Sequence, residues 1–102
     1  MNNTKWNEIF TAFYKAECDG NPSARWRTKD RTTGFFGEWD GTWTHFGCQS
    51  ENWKYIDCLQ IELTAQNEAY VLRTLRKIHV PGSVLDGIVT IYGYKQDADY
   101  IV

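Results

Sequence analysis

The chain has few of the residues that most often carry catalysis or hold metal ions. Its 102 residues include two histidines, three cysteines and two prolines. The cysteines, Cys18, Cys48 and Cys58, are odd in number and form no Cys-x-x-Cys pair. This spacing indicates neither a disulfide framework nor a zinc site. It is most consistent with a reduced, cytoplasmic protein.

Long apolar runs are also missing. No segment approaches the roughly 20 apolar residues of a membrane-spanning helix, and the opening MNNTKWNEIF lacks the pattern of a signal peptide. The motifs of serine hydrolases, zinc proteases, phosphate-binding loops and dinucleotide-binding folds are absent as well. We therefore expect no membrane partner, no catalytic residue, no metal and no cofactor, which argues against an enzyme.

The net charge is only −2, but the charges are segregated along the chain. Residues 25–37 carry four cations against one aspartate, whereas residues 38–69 carry six carboxylates against one lysine. Alternating signs argue against a dedicated nucleic-acid binder. The acidic segment 38–69 predicts a surface for a basic partner, and the alternative is a solvated surface whose charges compensate one another.

Aromatic residues, in contrast, are abundant at 16%, with five tryptophans, six tyrosines and five phenylalanines. Such side chains build cores, and they also build protein interfaces because each brings a large contact area at little entropic cost.

Apolar periodicity predicts two helices. In Thr4–Glu17 the apolar residues recur every three or four positions, and Asn3 or Thr4 can cap the first turn. A second helix is predicted from Thr64 to Lys77, followed by the breaker Pro81-Gly82.

Strict alternation predicts strands. Residues 25–31 place four cations (Arg25, Arg27, Lys29, Arg31) on one side and Trp26, Thr28 and Asp30 on the other. This row can bind phosphates or bases, or it can be a solvent-facing surface that the acidic segment neutralises. Further strands are predicted at Trp53–Leu63 and Ile88–Tyr94, the latter with Tyr92 and Tyr94 on one face, and a short edge strand at Tyr100–Val102.

The run WDGTWTHF (Trp39–Phe46) predicts a hairpin. Asp40-Gly41 lies between β-prone residues, which is typical of a two-residue type I′ turn joining strands Phe35–Trp39 and Thr42–Phe46. In that register Trp39 lies on one face, Trp43 and His45 lie on the other, and His45 is separated from Asp40.

The resulting order α-β-β-β-β-α-β predicts one α+β domain spanning residues 1–102. Its largely antiparallel sheet of four to five strands carries two helices on one face.

Five segments carry a resemblance to a known group, a family of small bacterial proteins of unknown function. They are the opening Thr4-Lys5-Trp6-Asn7, WDGTWTHF, Tyr55-Ile56-Asp57-x-Leu59-x-Ile61, Ile78-His79-Val80-Pro81-Gly82 and Ile91-Tyr92-Gly93-Tyr94. The resemblance implies no activity. In size, cytoplasmic character and acidic middle, the chain also resembles immunity proteins of bacterial contact-dependent toxin systems. That analogy implies a protein that binds a toxin domain and neutralises it, and a toxin domain with a basic surface would suit the acidic segment.

We therefore expect a non-catalytic protein-binding module, and we expect it to be a monomer or a weak homodimer. The exposed aromatic and acidic side chains expected to contact the partner are Trp43, His45, Glu38, Glu51, Asp57, Tyr92 and Tyr94. One alternative is a small enzyme or nucleic-acid-processing protein that uses His45, His79 and the basic strand Arg25–Arg31. Another is a structural protein that self-associates through exposed aromatic patches.

Overall fold

The computed structural model describes residues 1–102 as three helices, one 3-10 turn and four strands. In chain order they are α1 (Asn3–Cys18), β1 (Trp26–Asp30), α2 (Trp43–Cys48), the 3-10 turn (Ser50–Tyr55), β2 (Ile56–Glu62), α3 (Glu68–Ile78), β3 (Gly82–Leu85) and β4 (Ile88–Tyr92). The strands form one open sheet in the order β1-β2-β4-β3. Each neighbouring pair is antiparallel. The predicted α+β class is therefore confirmed, with three helices rather than two.

The first helix extends one residue beyond its predicted range at each end, and its cap is Asn2 rather than Asn3 or Thr4. The side chain of Asn2 accepts a hydrogen bond from the Lys5 amide at 3.0 Å, which satisfies one of the free donors of the first turn. Trp6, Ile9 and Phe13 form the buried stripe. The helix therefore turns one apolar face toward the sheet and leaves its polar face in solvent.

Alternation along the strands divides the sheet into two unlike faces. Ile61 pairs with Trp26 on one side and with Val89 on the other, and all three are buried. These side chains share one core cluster with the apolar residues of the three helices. The residues between them point to the opposite face, which no helix covers.

The predicted hairpin at Asp40-Gly41 is wrong. A carboxylate oxygen of Asp40 accepts the Thr42 amide at 2.8 Å, and the next residue begins α2 rather than a strand. Trp43 and Phe46, three positions apart, are both buried on the inner side of this short helix. Helical spacing of two large aromatics therefore prevails over local β-propensity.

Residues 35–40 nevertheless lie in an extended segment beside β1. Isolated bridges join Lys29 to Phe36 and Trp26 to Asp40. Between these two bridges β1 advances three residues and the segment advances four. The extra residue is a bulge-like irregularity, which ends regular pairing at this edge of the sheet.

The true Asp-Gly hairpin lies elsewhere, between β3 and β4. Asp86 and Gly87 have φ angles of 52° and 76°, as a type I′ turn requires. Strand β3 is therefore an element that sequence reasoning missed, and it supplies the fourth strand. The predicted edge strand at Tyr100 reduces to a single bridge with Pro81.

Two predicted elements begin later than expected. The Trp53–Leu63 strand starts only at Ile56, because Ser50–Tyr55 forms the 3-10 turn. The second helix starts at Glu68 rather than Thr64. The Thr64 amide donates to the buried Asn67 side chain at 2.8 Å, and the Asn67 amide donates to the Thr64 hydroxyl at 3.1 Å. This reciprocal pair forms a turn before the helix.

None of the helices is both long enough and apolar enough to cross a membrane.

Candidate functional site

The uncovered side of the sheet is the candidate binding surface, and it is called here the open face. Arg27 and Lys29 of β1 lie on it, together with Arg25 and the outward-pointing residues of the other strands. Phe36 and Trp39 of the segment 35–40 also lie against it, because they contact the same cations. The residues of β2, β3 and β4 on this side of the sheet are Gln60, Glu62, Ser83, Leu85, Ile88, Thr90, Tyr92 and Cys58, the last of which is buried.

Arg27 is the most heavily engaged side chain of the open face. Its guanidinium carbon lies 4.2 Å from the centre of the Phe36 ring and 4.6 Å from that of Trp39. Its Nε donates to Gln60 at 2.8 Å, and the Gln60 amide donates to the Thr90 hydroxyl at 3.2 Å. A row of contacts thus crosses three strands and holds a cation between two aromatic rings.

The acidic segment partly neutralises the cationic row. Arg25 donates two hydrogen bonds to Glu62, at 3.1 and 2.8 Å, and Lys29 lies 3.9 Å from Asp57. Hydrogen bonding from the Arg25 guanidinium lowers the pKa of Glu62 below its usual range. The same contact raises the pKa of Arg25.

The two predicted tyrosines extend the open face at one end. The Arg31 guanidinium carbon lies 3.7 Å from the centre of the Tyr94 ring. Lys95 lies 4.6 Å from the centre of the Tyr92 ring, and the Tyr92 hydroxyl is 3.1 Å from that of Ser83. Tyr94 is exposed and Tyr92 is half-buried.

Trp43 does not lie on any surface. Only 2% of the residue is exposed, and its ring stacks on Phe13 with centroids 4.7 Å apart. Its indole nitrogen donates to the Ala24 carbonyl at 3.0 Å. Because the segment is a helix rather than a hairpin strand, the side chain expected to contact a partner packs in the core instead.

His45 lies beside Asp40, contrary to the register that the hairpin predicted. Their side chains meet at 2.7 Å, because α2 turns the histidine back over the carboxylate. His45 is exposed, as are Glu38 and Glu51, and neither of these glutamates has an ion-pair partner within 4.0 Å.

His79 has different surroundings. Its ring stacks on Tyr100, with centroids 3.9 Å apart and planes 10° from parallel, and it lines a cavity that His45 does not line.

No group of three or more histidine, cysteine, aspartate or glutamate side chains is placed to hold a metal ion.

Sequence reasoning places the cations of β1 together but misses their aromatic partners. The sequence predicts Phe36 and Trp39 in a hairpin with another strand, whereas they lie against β1 itself. The signal that could have found them is Thr33-Gly34, a turn that directly follows the alternating strand. Gly34 has a φ of 75°, as such a turn allows.

Comparison with known proteins gives a family and no activity. Residues 1–98 match the family of unknown function DUF6678. No curated protein and no solved structure matches the chain.

Proposed function

Because the chain belongs to DUF6678, a family whose function is unknown, we propose a function from its own surface. The protein is a non-catalytic protein-binding module, and the open face is its binding site. The finer proposal is that the partner is a toxin domain and that the chain neutralises it in the cytoplasm. The three unpaired cysteines fit that compartment.

The observation that carries the proposal is Arg27 held between Phe36 and Trp39 on an uncovered sheet face. Arginine, tryptophan and tyrosine are the residues most enriched at binding hot spots. Side chains that are already ordered lose little rotamer freedom when a partner binds, so more of the contact energy becomes affinity. The cluster is therefore both chemically suited and preorganised for binding a protein.

The charges around the cluster define the partner's chemistry. Arg27 uses Nε within the protein, and its terminal nitrogens make no hydrogen bond to another residue. Arg31 has no carboxylate within 4.0 Å. These groups suit carboxylates on the partner, whereas the unpaired Glu38, next to Trp39, suits a basic side chain at the rim. A basic toxin domain that presents a few carboxylates at its centre would satisfy both requirements.

The test begins with the genes beside the one that encodes this chain. If a secreted toxin is encoded there, its toxic domain is titrated against the full chain by biolayer interferometry. We expect R27Q and W39A to weaken binding at least about tenfold, as hot-spot truncations do. R73Q removes an equivalent charge from α3, away from the open face, and should leave affinity unchanged.

Two results would overturn the proposal at different levels. If no neighbouring toxin binds, and expression of the chain protects cells from none, the immunity role is wrong. If a partner binds but R27Q and W39A bind it as tightly as R73Q does, the open face is not the binding site. Charge reversal at Glu38 should slow association most at low salt, where screening is weakest.

The enzymatic alternative receives less support from the geometry. Acid–base catalysis by two histidines requires both to reach one substrate. His45 of α2 contacts Asp40, whereas His79 stacks on Tyr100 beside a cavity that His45 does not line.

Self-association has one specific observation in its favour. Strand β3 is an outer strand of the sheet, and its Val84 and Leu85 are 46% and 71% exposed. An outer strand with exposed apolar residues can pair with the same strand of a second copy. Light scattering during size exclusion decides this, because a strict monomer at all concentrations excludes it.

A further inference from the structure

A cavity of about 640 Å³ lies beside the start of α1, where segments distant in the sequence meet. Lys5 reaches it from α1, His79 from the end of α3, and Tyr92, Lys95, Asp97 and Tyr100 from β4 and the residues after it. Its volume is within the ordinary range of small-molecule sites. It adjoins the open face, because Tyr92 and Tyr94 belong to both, whereas Lys5, His79 and Tyr100 line the cavity alone.

Cationic side chains outnumber anionic ones in the lining of the cavity. Lys5 and Lys95 are the cations, and Asp97 is the one carboxylate. Lys5 donates to the carbonyl of Ile78 and lies 3.7 Å from Glu8, which does not line the cavity. Lys95 lies above the Tyr92 ring and has no carboxylate within 4.0 Å. The lining therefore favours an anion.

The walls of the cavity are flat and aromatic. His79 and Tyr100 form a parallel stack, and Tyr100 remains 48% exposed. Gly93 lets the backbone next to Tyr92 approach β2 closely, because a Cβ there would lie 2.2 Å from the carbonyl oxygen of Ile56. Planar aromatic side chains held in this way suit a planar ring on the ligand.

We propose that this cavity binds a small organic anion that carries a planar ring. The anionic group lies between Lys5 and Lys95, and the ring lies against Tyr100. Charge and wall shape support the assignment independently of each other.

The experiment is a titration of the ¹⁵N-labelled full chain, followed by two-dimensional NMR, with benzoate as the probe. Acetate supplies the charge without the ring, and benzyl alcohol supplies the ring without the charge. We expect benzoate to shift the amides of His79, Gly93 and Lys95 saturably, with a dissociation constant on the order of 1 mM, as for a ligand of this size. Acetate and benzyl alcohol should bind at least about fivefold more weakly, because each lacks one contact.

Single substitutions identify the residues responsible. K95Q should weaken benzoate binding about threefold to tenfold, the usual net contribution of one hydrogen bond. R76Q removes an exposed cation from α3 that lines no cavity, and it should leave binding unchanged. Failure of benzoate to saturate at these amides overturns the proposal, and so does equal binding by K95Q and the unmodified chain. Equal affinity for acetate and benzoate overturns the role of the ring.

Discussion

Replacing Trp43 with alanine should destabilise the fold severely, because this side chain is at the centre of the aromatic core. Its ring stacks on Phe13 and lies 5.4 Å from Phe46 and 5.8 Å from Trp26, measured between ring centroids. Its indole N–H is the donor to the Ala24 carbonyl. All of these contacts are lost in the alanine variant.

The expected magnitude follows from these contacts. Truncating a buried tryptophan or phenylalanine to alanine costs about 3–5 kcal/mol, and a carbonyl left without its donor adds about 1–3 kcal/mol. The free energy of unfolding of a chain of this length is about 5–15 kcal/mol in total. W43A should therefore lose at least about 4 kcal/mol, which corresponds to a fall in Tm of roughly 15 °C or more, or to a chain that does not fold.

Urea unfolding followed by far-ultraviolet circular dichroism measures this loss. W43F keeps a ring against Phe13 and should lose only about 1–2 kcal/mol, mainly the hydrogen bond and part of the ring volume. F35A is the matched control, because Phe35 is 76% exposed and its removal should change stability by less than about 0.5 kcal/mol. A loss of under about 1 kcal/mol in W43A would contradict the placement of α2 against the core.

Three further predictions test other features. G93A should cost at least about 2 kcal/mol in urea unfolding because its Cβ would overlap a backbone carbonyl, whereas G37A, with 3.9 Å of clearance, should cost much less. Burial raises the pKa of the Cys58 thiol, so Ellman's reagent should label the two exposed cysteines rapidly and Cys58 slowly, and equal rates would contradict its burial. The lowered pKa of Glu62 means that its bond to Arg25 stabilises the fold above the ordinary carboxyl pKa, and that this stabilisation is lost as the pH falls through the folded-state pKa. E62Q should therefore reduce the acid dependence of Tm, and an unchanged Tm-against-pH curve would refute this.

The two Asp-Gly pairs show what the sequence could and could not predict. Asp86-Gly87 forms the type I′ turn, whereas Asp40-Gly41 precedes a helix. The local signal is the same, and the difference lies in the residues on the C-terminal side of each pair. After Asp86-Gly87 comes Ile88–Tyr92, a β-branched strand that pairs across the sheet, whereas Trp43 and Phe46 reach the core only with helical spacing. Tertiary burial therefore decided between two structures that the local sequence allowed equally.

The candidate site was predictable in part for a similar reason. Alternation correctly placed Arg27 and Lys29 together on one side of a strand, because a strand's period of two is fixed by its backbone. The rings of Phe36 and Trp39 were not placed there, because a register between segments depends on the turn that joins them. His79 and Tyr100 meet through the chain path after β4, and no local pattern predicts that contact.

The distribution of tryptophans gives the protein a built-in optical reporter. Trp6, Trp26, Trp43 and Trp53 are each at most 5% exposed, whereas Trp39 is half-buried on the open face beneath Arg27. A soluble quencher such as acrylamide can therefore reach one indole in five. A molecule that covers the open face should therefore change the fluorescence of Trp39. In a W39F chain, binding at that face should leave the tryptophan fluorescence unchanged. Occupancy of the proposed binding site can thus be followed by fluorescence without attaching a label.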